Sequence, residues 1–296
     1  MYCYYTDHHC CSNELELAKL SLEHKNKPFN PKLGMALLTC HRVEYYPSEE
    51  LSSVNLKELP SSHRYISDSL EAKRRLLRIA TGLESKILGE KAIYFQVEGA
   101  INSFLSAFPK KNGFTAILAY AKSIRENFNF YAPAHGGLIY DYISQGESDI
   151  AILIGAGMLN QSIVRSNSRN KKYSKILLVT RDTKRAKKRL RGYLEGVEIL
   201  KPDMLRDCNL SQKFDLIIAT DNIESSYEMQ IKNLETSKLC NYVVDISSCP
   251  LTSLNSSSEM YYSLYTRNTE ILVKKSNLFL RKKIAIINSY INKLEL

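Results

Sequence analysis

The spacing of apolar residues changes about half-way along the chain. Ile93, Val97, Ala100, Ile101, Phe104, Leu105 and Phe108 recur at helical intervals, which predicts an amphipathic helix over Ala92–Phe108 that Pro109 ends. Phe114, Ile117, Leu118, Ala121 and Ile124 form a second helical stripe. Before them, Met35–Thr39 is a short apolar run and predicts a strand. Beyond Pro133, the pair Gly136-Gly137 predicts a boundary or hinge. The period then shortens. Ile150–Ile154, Ile176–Val179, Phe214–Ala219 and Tyr242–Ile246 are strand-sized apolar runs with helical segments between them. Strands that alternate with helices imply crossovers and a parallel, doubly wound sheet. Ser-rich Thr252–Ser258 predicts a loop. From about Thr269 the pattern becomes one long helix, with Val273, Leu280, Ile287 and Leu294 seven residues apart and Ile284 and Ile291 between them.

The fold class expected is therefore α/β. An N-terminal α+β domain spans residues 1–133, a Rossmann-type parallel-sheet domain spans 134–265, and the start of a long helix occupies 266–296. The seam Leu280, Ile284, Ile287, Ile291 and Leu294 needs burial, either on the Rossmann-type domain or against a partner helix.

Composition narrows the picture. With 44% hydrophobic and 24% charged residues the chain is globular rather than disordered. No apolar run approaches the roughly 20 residues that cross a bilayer, and the first residues lack the n- and h-regions of a signal peptide. A cytoplasmic, membrane-free protein is expected. The net charge of +10 permits a polyanionic partner such as RNA without naming one. Seven cysteines without an export signal read as free thiols, and no paired CxxC knuckles support a structural metal. His8, His9, Cys10 and Cys11 are adjacent in sequence and cannot easily close one tetrahedron, so no metal is expected.

Strand Ile150–Ile154 running into Gly155-Ala156-Gly157 is the setting of a nucleotide-binding turn. The first glycine permits the tight turn, and the second lets backbone approach a pyrophosphate at a helix N-terminus. Asn160 stands at the third glycine position. The next strand ends Val179-Thr180-Arg181, where an NAD site usually carries an acidic residue. Arg181 suits a 2′-phosphate and Thr180 offers it a hydrogen bond, so NADPH is the cofactor expected.

Cys40 stands at a strand end beside cationic residues. If strand geometry persists, Cys40 and Arg42 point to one side, and a nearby guanidinium raises the thiolate fraction. A small buried hydrophobe is the competing reading of such a cysteine.

The segment Thr39-Cys-His-Arg-Val-Glu44 resembles the Thr-Cys-Asn-Arg-Thr-Glu segment of the glutamyl-tRNA reductase family. Gly82-Leu-Glu-Ser-Lys-Ile-Leu-Gly-Glu90 with Gln96-Val97 is similar to that family's Gly-Leu-Asp-Ser…Leu-Gly-Glu…Gln-Val block. The likeness continues through Ala121-Lys-Ser-Ile-Arg125, the Gly155 turn, Thr180-Arg181, Val244-Asp-Ile246 and the helix after Tyr265. This resemblance implies a catalytic N-terminal domain, an NADP-binding domain and a truncated spinal helix. It implies that Cys40 is the nucleophile that takes the glutamyl group of glutamyl-tRNA as a thioester. NADPH then reduces the thioester to glutamate-1-semialdehyde, in porphyrin and wider tetrapyrrole biosynthesis. Thr39, Arg42, Ser85 and Glu90 fall where the family recognises the acyl group. Partners implied are glutamyl-tRNA or another acyl donor and a downstream aminomutase-type enzyme. The family's V-shaped dimer is not expected.

The sequence also departs from the family. Arg75 stands where the family has an active-site histidine, Ala92 where it has glutamine, and Met158 where glutamate follows the Gly-Ala-Gly turn. Asp7-His8-His9-Cys10-Cys11-Ser12 replaces Asn-His-Lys-Thr-Ala-Pro. The alternative functions are reduction of another activated acyl group, or a non-catalytic protein that binds tRNA or NADPH.

Overall fold

The computed structural model describes residues 1–11, 14–39, 41–47, 64–108, 113–132, 135–144, 146–207, 210–220, 225–247, 261–263 and 267–296. Cys40 and the Ser-rich segment 252–258 lie outside the described residues. The chain divides into two compact units, residues 1–132 with 273–296, and residues 133–272. Among the described residues no helix is long and apolar enough to cross a membrane.

The first unit is built on an antiparallel sheet of strands β1 (Cys3–Asp7), β2 (Gly34–Thr39), β3 (Arg42–Pro47) and β4 (Arg64–Ile66), in the order β2-β3-β1-β4. Alternation along β2 serves both faces. Met35 and Leu37 enter one core with residues of helices α2 (Ser69–Thr81), α3 (Lys91–Ala107) and α4 (Gly113–Asn127). Ala36 and Leu38 pack on a second core, where Leu17 of α1 (Glu14–Asn26) meets Tyr4, Val43 and Tyr45. The predicted strand at Met35–Thr39 and the predicted helix at 92–108 are present, displaced by one residue at their ends.

Strand β2 stops at Thr39, which pairs across a hairpin with Arg42. The strand therefore does not run unbroken through residue 42, and the expectation that Cys40 and Arg42 share one side falls on a residue outside the described ones. Strand β3, although it begins Arg-Val-Glu, is buried along its whole length.

The second unit holds a six-stranded parallel sheet in the order β10-β9-β8-β5-β6-β7. The strands are β5 (Ile150–Ile154), β6 (Lys175–Val179), β7 (Val197–Leu200), β8 (Phe214–Ile218), β9 (Cys240–Asp245) and β10 (Tyr261–Ser263). Alternate residues of β5 feed separate cores. Ala151 and Leu153 pack with Ile139, Ile163 and Val164, while Ile150, Ile152 and Ile154 pack with Leu205, Tyr227 and Ile231. Such a sheet is covered on both faces. The chain moves outward one way through β6 and β7 and returns to the other side through β8, so the switch point lies between β5 and β8.

The two units divide at Pro133, three residues before Gly136-Gly137, but the pair itself is not a hinge loop. Both glycines lie in helix α5 (His135–Ile143), which packs on α6 (Met158–Asn170). A Cβ on Gly136 would stand 2.7 Å from the Leu159 carbonyl oxygen and 2.6 Å from Ser162 Cβ. Glycine is required there for close helix approach rather than for bending.

The last helix, α9 (Arg267–Asn292), also differs from expectation. Its seam buries Leu280, Ile287 and Ile291 in the core of the first unit, with Ile284 and Leu294 packed at the margin. The helix covers its seam within the chain, on the N-terminal unit rather than on the Rossmann-type unit or a partner.

Candidate active site and dinucleotide turn

Of the acyl-site residues expected from sequence, Thr39, Arg42, Ser85 and Glu90 are described, and all lie in the first unit. The β2–β3 hairpin fixes two of them. The Thr39 hydroxyl accepts the His41 N–H at 3.2 Å and so shapes the turn after β2. Arg42 is 1% exposed. Its Nη1 donates to Glu44 Oε1 at 3.2 Å and its Nη2 to the Glu84 carbonyl at 2.5 Å. The second bond brings the hairpin to the loop that carries Ser85 and Glu90.

That loop is fixed by its glycines and by two clamps. Helix α2 ends at Gly82 in the left-handed region, φ +88°, where a side chain is disfavoured. A Cβ on Gly89 would stand 2.9 Å from the Phe130 carbonyl oxygen. Arg125 of α4 donates to the carbonyls of Thr81, Gly89 and Glu90 at 2.8–3.0 Å. Asn277 of α9 accepts the Leu88 N–H and donates to the Lys86 carbonyl, both at 2.8 Å. The loop is thereby held from two helices distant in sequence.

Polar atoms remain unspent around this junction. Arg42 Nε, Ser85 Oγ and His8 Nδ1 are buried with no full hydrogen bond. Glu90 begins α3 without capping it. Burial pushes the Glu90 carboxyl up, while Ser85 close by and the charges of Arg42 and Arg125 oppose that shift. A buried donor or acceptor without a partner costs about 1–3 kcal/mol, and a polar ligand here would satisfy several at once.

The histidines lie on the turn that follows β1. His8 donates its backbone N–H to the His41 carbonyl at 3.1 Å, and its ring lies 4.0 Å from that of His9. Burial, then the charges of His9 and Arg42, bring the His8 pKa down to about 4. Among the described residues no three His, Cys, Asp or Glu side chains gather as metal ligands.

Arg75 does not stand free. Its Nη2 lies 2.7 Å from both Asp7 Oδ2 and Glu44 Oε1, and its Nε donates to Glu44 Oε2 at 3.2 Å. Burial disfavours its charge, but Glu44 and neighbouring groups outweigh that and keep the guanidinium ionised. The sequence placed Asp7 and Arg125 only within motif segments, without a role, and Asn277 not at all. Asn277 did carry a signal, because it occupies the seven-residue register of Ile284 and Ile291 in an otherwise apolar seam.

In the second unit, the Gly155-Ala156-Gly157 turn leaves the C-terminal end of β5 at the switch point. Gly155 has φ +91°, and a Cβ there would stand 2.6 Å from the Ala219 carbonyl oxygen. A Cβ on Gly157, by contrast, would meet only that oxygen, at 3.7 Å. Gly157 begins α6 without a side-chain cap, so the helix N-terminus remains available to an anion. Asn160, at the third glycine position, donates to the carbonyls of Ile154 and Gly155 at 2.9 and 2.7 Å and so braces the turn. Thr180 follows β6 with its N–H on the Leu200 carbonyl, and the exposed Arg181 comes next. These residues fit a dinucleotide.

Residues 11–127 match the family profile described as glutamyl-tRNA(Glu) reductase, N-terminal domain. Over these residues the chain is similar to the N-terminal domain of the glutamyl-tRNA reductases. The glutamyl-tRNA reductase of Caldivirga maquilingensis is 30% identical over 164 residues, 51% of this chain and 40% of that one. The glutamyl-tRNA reductase of Thermosipho melanesiensis is 24% identical over 86% of this chain and 68% of its own length. Protein nfe2 of Rhizobium meliloti is 27% identical over 97% of this chain and 95% of its own length. Among solved structures, glutamyl-tRNA reductase from Methanopyrus kandleri covers 99% of this chain and 77% of its own, at 16% identity and a TM-score of 0.49. The chain thus spans less than half the length of the Caldivirga reductase but nearly all of nfe2.

Proposed function

We propose that the protein is an NADPH-dependent oxidoreductase that takes an activated acyl group onto Cys40 and releases it as an aldehyde. The donor proposed is glutamyl-tRNA(Glu), and the product is glutamate-1-semialdehyde, a precursor of tetrapyrroles. The observation that carries this reading is the gathering of buried polar groups, the unpaired Arg42 Nε and the Ser85 and Glu90 side chains, in the unit whose strands β2 and β3 flank Cys40 in sequence.

Each group has a task on that acyl chain. Arg42 offers its unpaired Nε–H to the side-chain carboxylate in a charge-assisted bond. Glu90, pushed up by burial, regains its charge against the α-ammonium of the aminoacyl group. Ser85 and Thr39 orient the ester with their hydroxyls. The Cys40 sulfur attacks the ester carbonyl, the bond to the ribose oxygen breaks, and the tRNA leaves with a proton on that oxygen. A thioester is a better hydride acceptor than an ester, so covalent capture divides a hard step into two easier ones. NADPH, held by Gly155, Ala156, Gly157, Thr180 and Arg181, would supply the hydride.

A second reading is favoured by one observation. Arg75, at the position of the family's active-site histidine, is committed to Asp7 and Glu44 and cannot serve as that histidine would, which favours a different activated acyl group at the same site. Incubation with NADPH and a panel of charged tRNAs, with aldehydes trapped as they form, separates the readings. Aldehyde from glutamyl-tRNA alone is expected. Aldehyde from another donor selects the second reading, and none from any donor removes both.

A further inference from the structure

Glu44 is fully buried and both of its oxygens are occupied. Oε1 accepts from Arg42 Nη1 at 3.2 Å and from Arg75 Nη2 at 2.7 Å, and Oε2 from Arg75 Nε at 3.2 Å and the Tyr46 hydroxyl at 2.6 Å. Arg75 therefore reaches Glu44 through two nitrogens, and Arg42 through one. From its other side Arg75 is held by Asp7, and its guanidinium carbon lies 3.5 Å from the centre of the Tyr5 ring. Asp7 uses Oδ1 on the turn bearing His8, accepting the N–H groups of His9 at 3.0 Å and Cys10 at 3.2 Å. One guanidinium thus ties α2 to β1, to β3 and to the histidine turn.

A carboxylate facing a guanidinium prefers two parallel hydrogen bonds. Arg75 meets Glu44 in this way, through Nε and Nη2. With Arg75 removed, Glu44 would lose two of its four hydrogen bonds and keep only Arg42 and Tyr46. Its carboxylate could then turn, and Arg42, which rests on it through Nη1, would turn with it and lose the pose that leaves Nε unpaired.

We infer that Arg75 is a positioning residue for Arg42: by binding both Glu44 and Asp7, it fixes the carboxylate on which Arg42 rests and so keeps Arg42 in the pose that leaves its Nε free for a ligand carboxylate. Asp7 is the necessary counterpart, since it neutralises the charge that Arg75 adds. The inference rests on the acyl-site reading only for the identity of the carboxylate, and its test does not use that donor.

The test compares alkylation of Cys40 by iodoacetate, which carries a carboxylate, and by iodoacetamide, which does not. In both reagents the thiolate sulfur displaces iodide, so thiol reactivity cancels in the ratio of rates and recognition of charge remains. Peptide mass spectrometry assigns each rate to Cys40. Arg42→Ala is expected to lower the iodoacetate-to-iodoacetamide ratio about fivefold, the scale of one partly screened charge at contact distance. The charge-balanced double variant Asp7→Asn/Arg75→Gln is expected to lower it equally, with no further fall when Arg42→Ala is added. Arg75→Lys keeps a cation for Asp7, and is expected to give a smaller fall because a single ammonium cannot hold Glu44 at two positions. An effect on packing alone would change both rates together and leave the ratio unmoved.

A ratio unchanged in Asp7→Asn/Arg75→Gln and in Arg75→Lys overturns the inference, as does an additive fall in the triple variant. The acyl-site reading fails separately. If the ratios behave as expected and no charged tRNA acylates Cys40, positioning of Arg42 stands without that donor. If tRNA acylates Cys40 while the ratios do not move, the donor stands and the role of Arg75 is lost.

Discussion

Asn277 completes the loop that presents Ser85, with its Oδ1 accepting the N–H of Leu88 at 2.8 Å. The same side chain donates to the Lys86 carbonyl and is almost wholly buried. Asn277→Leu would extend the apolar seam but leave a backbone donor and an acceptor without partners. A loss of roughly 2–4 kcal/mol is expected in urea unfolding, with weaker acyl-donor binding and no change in NADPH affinity. Full stability in this variant would mean that the loop stands without the helix.

His8 makes stability depend on pH. Its folded pKa, brought to about 4 by burial and by His9 and Arg42, lies below the unfolded value of about 6.5. The unfolded chain therefore binds the proton first as pH falls. The stability from neutral His8 is complete above about pH 6.5 and is lost between there and pH 4, to the extent of roughly 2–3 kcal/mol. His8→Asn should flatten the unfolding free energy over that window. A slope identical to the parent's would assign the titration elsewhere.

The doubly wound half was legible because its strands are buried on both faces and read as short apolar runs. Ile150–Ile154 was found for that reason, with its glycine turn. Strand β3 was not, because Arg42 and Glu44 read as surface charges although they bury each other. The pair Gly136-Gly137 read as a boundary or hinge, and a boundary does fall at Pro133. Sequence does not distinguish a flexible glycine from one needed for close helix packing, as Gly136 is. The acyl-site residues came from motif resemblance. What was invisible was the pairing of Asp7 with Arg75, 68 residues apart, since each alone is an ordinary polar substitution.

Gly155→Ala should fail in two ways. A residue with a side chain is strained at φ +91°, and its Cβ would collide with the Ala219 carbonyl. A loss above roughly 2 kcal/mol is expected, along with dinucleotide binding. Gly157→Ala has room and should fold like the parent, with weaker binding because the methyl group faces the helix N-terminus. Fluorescence titration with NADPH, beside thermal unfolding, separates the two. Equal behaviour of both variants would contradict the assigned roles.

Arg181 follows the second strand of the parallel sheet and is exposed. Arg181→Ala should weaken NADPH several-fold and leave NADH nearly unchanged, because only NADPH carries the 2′-phosphate that a guanidinium binds. Titration with both cofactors checks this. An equal loss for both would assign Arg181 to the fold.

The central claim is covalent capture at Cys40. Among the described cysteines, burial pushes the Cys3 and Cys10 thiols up and raises Cys240 to about 12, so these three serve as unreactive controls in the same sample. The direct measurement is the mass of the protein, and of its cysteine peptides, after incubation with glutamyl-tRNA(Glu) and no NADPH. The account predicts one glutamyl group, on Cys40 alone, that is discharged when NADPH is added and is absent in Cys40→Ser. Aldehyde formation that persists in Cys40→Ser, or acylation that settles on another cysteine, would contradict it.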